Sequence, residues 1–293
     1  TVTQSYLWGG NTGIELVTGS DSNVISVSTM VGSTGNGFYA LGASSNSVTR
    51  SRIWGAAVGA SFNGGANANA ISISTVIGAG NYGFYALGSD SNTVTQSYVW
   101  GGNYGAYLIT GADSNAISLS TMIGNSTNGF YTFGADSNTV TQSYIGGPNG
   151  AVLDTGSDYN TINRSTMIGN SNVGFYSGAD SNTVTQSYME GFIQGAQLAG
   201  GADYNVISLS TMIGNSNLGF HADGADSNTV TLSYMRGGSY GAWLENGSDY
   251  NTISLSTVIS NNASFPALYI TNGTSNTISS SYIQGSTAAL VSG

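Results

Sequence analysis

Residues 90–98 read DSNTVTQSY, the same nine residues recur at 136–144 and 180–188, and residues 1–6 carry TVTQSY alone. Working outward from the asparagine of this stretch, an Asn followed two residues later by Val or Ile stands at Asn23, Asn46, Asn69, Asn92, Asn115, Asn138, Asn160, Asn182, Asn205, Asn228, Asn251 and Asn276. The spacing is 23 residues, slipping to 22 twice and to 25 before Asn276. Self-similarity at a fixed period of this size predicts a solenoid, in which each unit buries its apolar face only against its neighbours.

Within a unit the pattern predicts short strands separated by corners. Val or Ile at two after the Asn, Ser at five and an apolar residue at seven (Val94, Ser97 and Val99 in one copy) form columns along the chain. Positions five and seven share one face of a strand, whereas the odd step from two to five demands a bend. A further run follows a Gly and alternates between Ala-x-Leu (Ala106, Leu108) and Phe-Tyr (Phe84, Tyr85), which makes a superrepeat of about 46 residues. Coils stacked about 4.8 Å apart would give a rod of roughly 60 Å for thirteen of them. The polar Asn and Ser columns lie beside the core and are tolerable only if each side chain bonds to backbone or to its twin one coil away. That requirement is the physical reason for writing the same residues repeatedly.

The repeat N-x-I/V-x-x-S-x-apolar with its downstream Gly-apolar run resembles the right-handed parallel β-helix repeat of pectate-lyase-like enzymes, NosD-type carbohydrate-binding and sugar-hydrolase repeats, phage tailspikes and secreted adhesins. The resemblance covers nearly the whole chain. It implies an all-β fold: a single-stranded right-handed parallel β-helix of about 13 coils of 22–25 residues, forming one domain over residues 1–293. Because Thr1 falls inside a repeat, the expectation is a portion of a longer chain.

Composition narrows the partners. Of 293 residues, 40% are hydrophobic and 6% charged, with four Arg, no Lys and a net charge of -10, so the chain cannot build the basic surfaces that nucleic acid requires. No run of residues is long and apolar enough for membrane insertion. Without cysteine there is neither a disulfide framework nor a thiolate site. An enzyme of the pectate-lyase type would resemble its family in clustering Asp, Lys and Arg, and this chain departs from that pattern: Lys is absent and Arg50, Arg52, Arg164 and Arg236 form no evident constellation.

Three groups of residues are candidates for function. An outward stripe at six and eight after the Asn carries Tyr6, Trp8, Trp54, Tyr98, Trp100, Tyr144, Tyr188, Tyr234 and Tyr282, an aromatic band suited to copies of the same chain or to a surface polysaccharide. An acidic column, Asp90, Asp113, Asp136, Asp158, Asp180, Asp203, Asp226 and Asp249, reads first as turn-capping carboxylates, each bonded within its own Asx turn, and alternatively as a calcium ladder. No other cofactor is expected. Asp223 and Glu245, on adjacent coils beside His221 and Trp243, are the one arrangement with the look of a catalytic site, although His221 falls in a tyrosine column and reads as an ordinary outward surface residue. Thr-x-Thr triplets such as Thr93 and Thr95 add an ice-binding alternative. The sequence is thus read as an extracellular or cell-surface structural or adhesive rod, with a polysaccharide-binding or polysaccharide-cleaving β-helix as the alternative. Catalysis is left open, with the balance toward a non-enzyme. If the chain is an enzyme, it is a polysaccharide lyase or glycoside hydrolase.

Overall fold

The computed structural model describes residues 1–293, which form 39 strands and no helix. They fall into two compact units, Thr1–Gly147 and Pro148–Gly293, each a parallel β-solenoid with three strands per coil, for thirteen coils in the chain. One coil shows the plan: strands Thr93–Thr95, Tyr98–Gly101 and Tyr104–Ile109 are followed by Ala116–Ser118, Thr121–Gly124 and Asn128–Phe133. Each pairs in parallel with its counterpart one coil on, as Val94↔Ile117, Val99↔Met122 and Leu108↔Thr132. We refer to the three resulting sheets as first, second and third in chain order within the coil.

The bend demanded between positions two and five is made by one residue in the left-handed region. In the first unit Val27, Arg50, Ile73, Gln96, Leu119 and Gln142 all have φ between 48° and 51°, and a second left-handed residue precedes the ladder Asn, as at Ser91. Neither needs glycine, yet each costs energy for a residue with a Cβ, so the corners persist only because packing and ladders on both sides hold them. Inward residues are sealed: Ile71, Val94 and Ile117 in the first sheet and Val76, Val99 and Met122 in the second are at most 2% exposed.

The Asn and Ser columns behave as the repeat predicts. The backbone N–H of Asn92 donates to Asn115 Oδ1 and that of Asn115 to Asn138 Oδ1, both at 2.8 Å. In the second unit Asn182 donates to Asn205 Oδ1 at 2.9 Å and Asn205 to Asn228 Oδ1 at 2.7 Å. Each ladder serine works twice: Ser97 Oγ donates to Thr95 O at 2.8 Å and accepts from the N–H of Ser74 at 3.1 Å. Asn115→Ala removes the acceptor for a buried N–H and the donor to Ser89 O, which lies 3.1 Å from Nδ2. The expected loss is about 2–4 kcal/mol, read as a lower urea midpoint with unchanged far-UV circular dichroism.

Candidate functional site

The acidic column is a ladder as well, and this corrects the turn-local reading. Asp113 Oδ1 accepts from the N–H of Asp136 at 2.7 Å, and in the second unit Asp180 and Asp203 Oδ1 accept from the N–H of Asp203 and Asp226 at 2.8 and 2.7 Å. The carboxylate thus bonds to the next coil and not to its own turn, and one oxygen of each is already engaged. Burial lifts the Asp203 carboxyl above its ordinary value, the N–H of Asp226 opposing and the neighbouring Asp226 and Asp180 adding to the rise.

The proposed stripe lies on the outer face of the second sheet. In the first unit Tyr6 and Trp8 are 70% and 63% exposed, while Tyr98 and Tyr144 are less so and Trp54 and Trp100 are half-buried. Its rings are separated by aliphatic rungs, since Trp8, Val31, Trp54, Ile77 and Trp100 follow one another in register. In the second unit Tyr282 is exposed, Tyr234 half-buried, and the Tyr188 hydroxyl donates to Glu190 Oε2 at 2.7 Å. Burial, then Glu190, pushes the Tyr188 hydroxyl up to about 12, and the hydrogen bonds from Asn215 and Tyr188 hold Glu190 below the usual carboxylate range. The arginines do not gather at one place: in the first unit Arg50 and Arg52 line one shallow depression, whereas in the second Arg164 Nε donates to Gln186 Oε1 at 2.9 Å.

The densest aromatic surfaces are on the outer face of the third sheet, which the sequence reading passed over. In the first unit Tyr82 and Tyr85 stack at 5.0 Å and Tyr104 and Tyr107 at 4.8 Å, with Tyr131 5.1 Å from Tyr107. In the second unit Trp243 stacks on Tyr269 at 5.5 Å, and Tyr240 lies 5.2 Å from Trp243 and 4.9 Å from Phe265. The signal is present as Y-G-F-Y, Y-G-A-Y and Y-G-A-W, in which the ring before the glycine meets the ring three residues later, stacked in the first two and tilted in the third.

Beside this second cluster stands the acid–imidazole group. Strand Leu218–Asp223 turns both His221 and Asp223 outward by two-residue alternation, and Asp223 is in register with Glu245 on the next coil. His221 Nε2 is 2.8 Å from Glu245 Oε1, and Nδ1 is 3.1 Å from Gln194 Nε2. An amide nitrogen only donates, so in this arrangement Nδ1 accepts and the ring proton sits on Nε2, aimed at Glu245. The sequence reading of His221 as an ordinary surface residue fails here: it is 6% exposed, enclosed by Gln194, Glu245 and the Trp243 ring 5.8 Å away. One ligand atom from each of His221, Asp223 and Glu245 lies within 4.8 Å of the others. Asp223 also accepts from Asn246 Nδ2 at 2.7 Å. Burial, then the Asp154 and Asp223 carboxylates, raises the Tyr176 hydroxyl, and burial, then Tyr269 and Glu245, raises that of Tyr240, so both remain hydrogen-bond donors at neutral pH. The group can therefore offer donors, acceptors and an aromatic wall to a polar ligand, move a proton through the His221–Glu245 pair, or chelate a cation.

Comparison with known proteins places this geometry in a family. The signature of the family described as "Right handed beta helix region" matches residues 87–235, half of the chain. The chain belongs to the right-handed beta helix family. The signature described as "Periplasmic copper-binding protein (NosD)" matches residues 1–128, outside the acid–imidazole group. No curated protein matches the chain. Among solved structures the chain is similar to PfbA, a surface adhesin of Streptococcus pneumoniae (TM-score 0.59, 9% identity, covering 92% of this chain and 85% of that one). It is similar to a mutant of the periplasmic alginate epimerase AlgG (TM-score 0.55, 12% identity, 88% and 77%). It is also similar to the tailspike protein gp49 from Pseudomonas phage LKA1 (TM-score 0.52, 14% identity, 92% and 49%), of which it spans about half. At these identities the right-handed beta helix fold is what the proteins share.

Proposed function

We propose that this right-handed beta helix binds a polysaccharide outside the cytoplasm, through the outer face of the third sheet. The observation that carries the reading is the Tyr240–Trp243–Phe265–Tyr269 cluster lying directly beside the hydrogen-bonding groups of His221, Asp223, Asn246 and Glu245. A sugar ring presents apolar C–H faces and hydroxyl edges. It therefore asks for aromatic planes flanked by carboxylates and amides, and those are present on adjacent coils. The tyrosine ladder of the first unit offers a second such platform, and the scarcity of arginine and lysine favours a neutral glycan over an acidic one. The same fold carries a periplasmic alginate epimerase and a surface adhesin.

Affinity electrophoresis in gels containing neutral and acidic polysaccharides tests the reading. At least one neutral polysaccharide is expected to retard the protein, and Trp243→Ala is expected to weaken that retardation at least about tenfold, the loss of one stacking contact with its hydrophobic burial. Equal mobility in every gel overturns the proposal.

A further inference from the structure

The geometry points to a divalent-cation site formed by His221 Nε2 and the carboxylates of Asp223 and Glu245, taking a first-row metal of the zinc or manganese type. The inference stands independently of the glycan reading. Three features of the second unit carry it. First, the donor set is mixed and convergent: an imidazole nitrogen and two carboxylates lie within 4.8 Å of one another, with His221 Nε2 and Glu245 Oε1 in hydrogen-bond contact at 2.8 Å. An ion with ligands at about 2.0–2.2 Å holds them roughly 3–3.5 Å apart, so binding opens the His221–Glu245 contact slightly and draws the Asp223 carboxylate in. Imidazole among the ligands favours a first-row metal over calcium or magnesium.

Second, Asp223 and Glu245 are like charges directly opposite one another in a parallel pair, an arrangement that costs energy unless a positive charge lies between them. The hydrogen bonds from His221 and Asn246 offset this only in part. A dication between the carboxylates supplies the missing charge.

Third, Gln194 is nine-tenths buried with its amide against the imidazole, and its Oε1 has no hydrogen-bond partner. A half-turn of that amide sets Oε1 on a protonated Nδ1. The ring proton then resides on Nδ1, and the Nε2 lone pair is free on the side where both carboxylates stand. Gln194 would thus orient the ring for the metal as a carbonyl or carboxylate commonly does behind a ligating histidine.

Isothermal titration of chelator-stripped protein with Zn2+ and with Mn2+ tests the site, and Co2+ absorption reports its ligands. One saturable site per chain is expected for at least one of the metals, with a Co2+ visible spectrum. His221→Gln and Glu245→Gln should each weaken binding at least tenfold, and Asp223→Asn should do so without disturbing the His221–Glu245 contact. Asp226→Asn, which alters only the acidic ladder, should leave it unchanged. If a cluster variant loses its β-sheet circular dichroism, the Co2+ spectrum of the unaltered protein decides. No saturable binding, or binding lost in Asp226→Asn and retained in the three cluster variants, overturns the inference.

Discussion

Phe84→Ala is expected to lower stability by about 3–5 kcal/mol, a loss at the upper end for single core substitutions. The reason lies in how the third sheet fills the interior. Phe84 is 1% exposed and stands in register between Ala60 and Ala106, while two residues on Ala86 stands between Phe62 and Leu108. Each inward column therefore alternates large and small, and the two columns are out of step. A phenyl ring is taller than the roughly 4.8 Å between coils, so it must spread over its neighbours' space, and alanine above and below supplies that space. The rings meet diagonally, Phe62 contacting Phe38 and Phe84 edge-on at 5.8 and 5.3 Å. Removing Phe84 leaves three alanines in succession, a void that the fixed ladders on either side keep from collapsing. Adding Ala86→Phe in the same chain should not restore stability, because the new ring would meet Phe62 and Leu108 in its own column. Urea unfolding of the single and double variants checks both statements, and a single variant within about 1 kcal/mol of the parent would contradict the account.

This alternation also explains the superrepeat of about 46 residues. The two coil types were legible as Phe-Tyr against Ala-x-Leu, but their purpose was not, because volume compensation is a relation between coils and a one-dimensional reading compares each residue only with its own copies. The Asn and Ser columns were fully legible for the opposite reason: their partner is the identical residue one period away, so periodicity in sequence is itself the contact map. Asp203 marks an intermediate case. Its place in a column was evident, yet a carboxylate can bond within its own turn or to the next coil, and only coordinates distinguish an Asx turn from the ladder to Asp226.

The candidate site was legible only in outline. Asp223, Glu245 and His221 could be placed on neighbouring coils by counting, and they do converge. What counting could not supply was the burial of His221, because its column is elsewhere occupied by half-exposed tyrosines such as Tyr85 and Tyr107. The cover comes from Gln194, on the preceding coil and 27 residues away, at a position that other coils fill with Leu218 or Tyr240. Single departures from a repeat are where its chemistry is to be sought, since residues that serve the scaffold recur and residues that serve a site need not.

Glycine shows the same logic where no side chain is allowed at all. Gly101→Ala should abolish soluble expression or cost more than about 4 kcal/mol, in the range reserved for changes the fold cannot absorb. Gly101 ends a second-sheet strand in register with Gly78 and Gly124, at the tight corner leading into the third sheet. Its φ is not the issue; a Cβ there would overlap the carbonyl oxygen of Tyr104 and come within 2.7 Å of the backbone nitrogen of Gly83. Both obstacles are backbone held in sheet ladders, so nothing flexible can give way. Gly65→Ala provides the contrast. Gly65 has φ of +80° with open space around its missing Cβ, so alanine there should cost only the left-handed strain, about 1 kcal/mol. Thermal melting of the two variants side by side separates close packing from backbone conformation. If Gly101→Ala melts within a few degrees of Gly65→Ala, the corner is not packed as tightly as its carbonyl contacts require, and the close joining of the second and third sheets, on which the position of the outer aromatic face depends, would have to be redrawn.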